Sequence, residues 1–143
     1  MNRQDIRRFE AAGLFVLFFL GGVIHTLTHT FVLITQVADK LMHEGKLLDE
    51  LLKTYQGTGF LVMFAVWFGA MMLPIFLALL LKSKKGYWVT TIVGALVVLA
   101  NIAHAIAHIS IGDVTNGIAN LVMSGVTGVW AVVFMLQLAR GKV

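Results

Sequence analysis

Four long apolar stretches, parted by short charged ones, set the plan of this chain. Residues 1–10 are polar, with Arg3, Arg7 and Arg8 against Asp5 and Glu10, and residues 11–37 then carry no charge at all. About 20 apolar residues cross a bilayer as a helix, so this stretch is a complete first span with a turn or more to spare. A signal peptide also sets basic residues before an apolar core, but its core runs only about 7–15 residues. Residues 38–56 mix charges with Leu47, Leu48, Leu51, Leu52 and Tyr55 at helical spacing. That is the pattern of a short amphipathic helix lying at the interface, with Gly45 breaking it from the first span.

The second span is expected over residues 57–81. Pro74 sits inside it, removes one backbone hydrogen bond and frees the carbonyl of Ala70, so a kink is expected there. Lys82-Ser83-Lys84-Lys85-Gly86 reads as the following turn, and Tyr87 and Trp88 stand where an aromatic belt would. The third span is expected over 87–111 and the fourth over 114–139, joined by Gly112-Asp113, with Asp113 as a helix N-cap. The expected fold is all-α: one domain, an integral membrane four-helix bundle with a short interfacial helix between spans 1 and 2.

Charge then gives an orientation. Arg3, Arg7, Arg8, Lys82, Lys84, Lys85, Arg140 and Lys142 fall on one side of a four-span topology, while the other side has only Lys40, Lys46 and Lys53 among five acidic residues. The positive-inside rule puts both termini in the cytoplasm, as in a protein of the bacterial inner-membrane type. The net charge of +4 sits at span ends, so it marks topology and not a nucleic-acid partner. The expected partner is the lipid bilayer, with a homo-oligomer left open. With 59% apolar and 13% charged residues the chain is too apolar for a soluble domain of its size. The absence of cysteine excludes thiolate metal sites, iron–sulfur clusters and c-type haem attachment.

Chemistry enters through two stretches, His25-Thr26-Leu27-Thr28-His29 in the first span and His104-Ala105-Ile106-Ala107-His108 in the third. Residues four apart lie one above the other on a helix face, so each stretch lines up two imidazoles. With a rise of 1.5 Å per residue, and span ends taken at 37 and 112, His29 and His104 each fall about 12 Å below the outer surface. His25 then falls one turn deeper and His108 one turn shallower, making one patch in the outer leaflet. Asn101, and Asn120 on the fourth span, come near that depth and are candidates to orient the free ring nitrogens. Gly21 and Gly22 would let another helix or a flat cofactor approach. Met123 is the one methionine placed to face the cluster. His43, among loop charges, is expected to be a solvated surface residue.

Ionisable residues inside a membrane are costly and usually mark function. Three readings fit. The first is an all-nitrogen transition-metal site with His25, His29, His104 and His108 as ligands, suited to copper, zinc or iron and not to magnesium or calcium. No carboxylate lies within a span, which disfavours a glutamate-rich di-iron bundle. The second is a bis-histidine haem b with one ligand from each helix. The third is a proton or solute path that uses the histidines as a relay. The bland alternative, histidines hydrogen-bonded between helices, accounts for one such residue better than for four. If the site is catalytic, oxygen chemistry at copper or iron is the natural expectation, making the protein a metal-dependent membrane oxidoreductase. The histidine-box desaturases and hydroxylases are similar in using a first HxxxH box. They also need boxes with adjacent histidines, which this chain does not have, so no family is assigned.

Overall fold

The computed structural model describes residues 2–44 and 58–142. Among these residues there are four long helices and no strands: α1 (Arg3–Glu44), α2 (Thr58–Leu80), α3 (Lys84–Ser110) and α4 (Val114–Ala139). Each is long and apolar enough to cross a membrane. Helices are the natural solution in hydrocarbon, because each satisfies its own backbone polar groups internally. Large apolar side chains cover the outside, with Phe31 68% and Leu96 63% exposed. A surface of that kind is stable against lipid and not against water.

The helix ends follow local chemistry. Asn2 caps α1 by accepting from the Asp5 amide at 2.8 Å, and Ser83 caps α3 by accepting from the Gly86 amide at 3.1 Å. The Ser83 cap starts α3 at Lys84, so the turn is shorter than the charged run suggested. At the far end of α3, the Gly112 amide donates to the Ile109 carbonyl and the Asp113 amide to the His108 carbonyl, with Gly112 at φ +88°. This is a Schellman end, which needs a residue comfortable in the left-handed region.

One expectation changes. Residues 38–44 do not begin a separate interfacial helix. They continue α1 without a break to Glu44, because nothing in the run before Gly45 stops the backbone even though the apolar pattern has ended. The rest of the expected interfacial segment lies outside the described residues. Pro74 lies inside α2, which runs on past it with the proline buried. A π-helical turn, Leu121–Gly125, breaks the regularity of α4.

The helices are arranged in a ring. α1 packs on α2 and α4, and α3 packs on the same two neighbours, so α1 and α3 face each other across the bundle. The half nearer the termini is filled with apolar side chains: Ala11, Phe15, Ala78, Met135 and Leu138, then Phe18, Met71 and Val98. There α1 and α4 come very close. A Cβ on Gly21 would lie 2.6 Å from the backbone carbonyl oxygen of Met123, at the π turn. The glycine thus accommodates a helix, and Gly22 likewise accommodates the Met71 side chain.

Gly21→Val is expected to lower stability by about 1–3 kcal/mol, since backbone cannot yield to the added atoms. Gly13→Ala, where a Cβ meets nothing within 4 Å, is expected to be neutral. Thermal unfolding of the two variants in one detergent checks this pair.

Candidate metal centre

The half of the bundle away from the termini is polar inside. His25 and His108 are buried, His29 is half-buried, and His104 stands open to a cleft. Because α1 and α3 lie across the ring from each other, the two histidine pairs meet at its centre. The ring centres of His25 lie 5.6 Å from those of His104 and 5.0 Å from those of His108. His104 and His108 are 4.7 Å apart, and His29 and His108 are 5.0 Å apart. All four predicted histidines therefore converge.

Their register differs from the depth estimate by about one turn. His25, and not His29, stands opposite His104, while His29 reaches His108 and the Asp113 carboxylate, 3.7 Å away. The estimate took the end of the apolar run as the end of the helix. α1 in fact runs seven residues past 37, to Glu44, so that landmark did not fix its height.

Hydrogen bonds order the cluster. His108 Nδ1 is 2.8 Å from Asp113 Oδ2, and His108 Nε2 is 3.2 Å from His104 Nε2. The first contact calls for a proton on Nδ1, which leaves the Nε2 lone pair pointing at the other rings. Asn116 donates to both oxygens of Asp113, at 2.9 and 3.0 Å. Its amide, helped by the neighbouring His108 imidazole, holds the Asp113 carboxyl below the usual carboxylate range. The carboxylate is therefore ionised at neutral pH. The Nδ1 atoms of His25 and His29 are buried with no hydrogen-bond partner. A buried polar atom without a partner costs free energy, and a ligand would relieve that cost.

Sequence reasoning gave Asp113 only a capping role. Asp113 does occupy the position before α4, but its side chain makes no cap hydrogen bond and goes to His108 and Asn116. The signal was present as the spacing: a carboxylate five residues after a histidine, across a glycine able to take a left-handed turn. The Schellman end folds the chain back so that both the amide and the carboxylate of Asp113 reach His108.

Asn101 and Asn120 are fully buried and bind each other. Asn101 Nδ2 donates to Ser124 Oγ at 2.7 Å and to Asn120 Oδ1 at 3.3 Å, and the Ser124 hydroxyl donates to Asn120 Oδ1 at 2.6 Å. This network ties α3 to the π turn of α4, one turn below His104 on α3. Met123 is 46% exposed and does not line the cleft. His43 stands apart on the exposed extension of α1, where its ring bonds the Asp39 carbonyl.

Two overlapping donor sets result: His25, His104 and His108, and then His29, His108 and Asp113. Within each set one ligand atom per residue lies within 4.8 Å of the others. Beside them, between α1, α2 and α3, opens a cleft of about 920 Å³. No protein-family model, no curated protein and no solved structure matches this chain. Fold and site together define a four-helix protein of membrane-crossing proportions with an internal histidine cluster that could hold a metal ion.

Asn101→Ala is expected to destabilise the bundle by about 1–3 kcal/mol, because Asn120 loses a buried partner. Metal retention should fall far less than in His25→Ala. Thermal unfolding and elemental analysis of the two variants check the contrast.

Proposed function

We propose that the chain is an integral membrane protein that binds one transition-metal ion through its histidine cluster, in the outer leaflet of a membrane with both termini in the cytoplasm. The observation that carries this reading is the mutual approach of donor atoms from His25, His104 and His108. Metal–nitrogen bonds of 2.0–2.1 Å in a tetrahedron put neighbouring nitrogens about 3.3 Å apart. His104 and His108 present Nε2 atoms 3.2 Å apart. An imidazole centre lies roughly 1.1 Å behind its ligating nitrogen, so ring centres are expected about 5 Å apart around one tetrahedral ion and about 6 Å apart across a haem iron. The three rings stand 4.7 to 5.6 Å from one another, which favours the ion over the macrocycle.

In this reading His25, His104 and His108 are the principal ligands, and His29 closes the set. Asp113 orients His108 and raises its basicity, the usual part of a carboxylate behind a metal-bound histidine. Asn101 and Asn120 act from below, by fixing the spacing of α3 against α4. Copper, zinc and iron all suit the donor set. With copper or iron the site would serve a membrane oxidoreductase.

Elemental analysis and an absorption spectrum on detergent-purified protein, expressed with trace metals and haem precursor, test the proposal. Stoichiometric copper, zinc or iron without a Soret band is expected. A Soret band would replace the reading with a membrane cytochrome, and a metal-free, colourless protein would favour the proton relay. His25→Ala and His108→Ala should each abolish retention, and Asp113→Asn should weaken affinity about 10- to 100-fold.

A further inference from the structure

The cleft beside the cluster has a chemistry of its own. It is lined by residues of α1, α2 and α3, and its volume of about 920 Å³ is far more than one ion needs. Ligand sites for small molecules typically occupy about 300–1,000 Å³. One wall is made by the four histidines, the other by apolar side chains that include Phe64 and Trp67. The Trp67 ring stands 5.9 Å from that of His104, tilted by 52°. The other polar lining residues besides Trp67 are Thr26 and Thr30, and their hydroxyls are spent on the carbonyls of Gly22 and Thr26, at 2.9 and 2.8 Å. Asp113 is not part of the lining.

Apart from the imidazoles and the Trp67 indole, a hydrated ion or a sugar-like solute would meet, among the described lining residues, only two hydroxyls that already donate to carbonyls. A lipid-soluble molecule would meet an apolar wall over most of its length and imidazoles at one end. His104, the histidine of the cluster that stands open to the cleft, is the imidazole a polar head can reach, whereas the unpartnered Nδ1 atoms of His25 and His29 are buried. Trp67 supplies a face for a flat ring to stack on. We propose that the cleft binds a lipid-soluble ring compound of the quinol or quinone type, a ring oxygen at His104 and its tail along α2. This rests on the metal-site reading for its role, since it names what the site acts on, but the binding itself requires only the cleft.

The test uses fluorescence. In a Trp88→Phe, Trp130→Phe background, Trp67 is the sole fluorophore among the three tryptophans of the chain. Benzoquinone carrying a decyl tail is titrated into the purified protein at fixed detergent concentration. Saturable quenching is expected. Ala100→Phe and Ala70→Phe, on opposite walls of the cleft, should each raise the half-saturation concentration about tenfold or more, equivalent to about 1.4 kcal/mol. Metal content and elution profile, measured on the same samples, show that each variant is folded. Quenching that never saturates, or that is equal in a protein retaining only Trp130, is partition into the micelle and overturns the proposal. Displacement by decanol at the same concentration as by the decyl quinol overturns the assignment of a ring. A haem Soret band in the purified protein means a macrocycle fills the cleft, with the same consequence. Saturable quenching of a protein that holds no metal would sink the metal reading alone, and metal without saturable quenching would sink the cleft proposal alone.

Discussion

A polar group in hydrocarbon has no water to fall back on, and this constraint shapes every feature of the bundle. The backbone meets it with four helices. Side chains meet it by facing inward and finding one another: His108 finds Asp113 and His104, Asn116 finds Asp113, and Asn101 finds Asn120 and Ser124. The threonines of α1 turn back onto their own helix. Among the described residues, the buried nitrogens left without a hydrogen-bond partner are Nδ1 of His25 and of His29 in the cluster, Nδ2 of Asn120, and Nε and Nη1 of Arg8. An ion bound at the cluster would relieve the two imidazole nitrogens.

The bundle is divided along its length to allow this. Near the termini, Phe15, Phe18, Met71 and Met135 fill the interior, and glycines bring α1 against α4. Towards the α3–α4 turn the interior becomes polar, and imidazole rings of α1 and α3 meet there. The π turn sits at the change-over. There the Gly21 backbone touches α4 from one side, while the Asn101 network holds it from the other. π turns recur at functional sites because they re-aim side chains that a regular helix would place elsewhere. Here the turn follows Asn120 and contains Ser124, the two partners of Asn101.

Much of this was legible in the sequence, because charge-free runs can end only where charged residues begin. The four helices and the convergence of the histidines follow from run length and i, i+4 spacing. What was not legible depended on where helices stop and how they are ordered around the ring. The end of α1 at Glu44 moved the histidine register by a turn, since a backbone helix can outlast its apolar pattern. The placement of α1 opposite α3, with the resulting cleft on the α2 side, is a property of packing that spacing alone does not carry. Asp113 was hidden by a plausible alternative, for an aspartate after a glycine at a helix start ordinarily reads as a cap. Its true direction is set by the left-handed Gly112 beside it.

The central claim is that imidazoles from α1 and α3 share one metal ion. X-ray absorption at the edge of the metal that co-purifies with the protein tests this most directly. The account predicts an inner shell of nitrogen at about 2.0–2.1 Å, with the outer scattering pattern of imidazole carbons, reduced in His25→Ala and in His104→Ala alike. A shell of oxygen alone, or a spectrum indifferent to both substitutions, would contradict it.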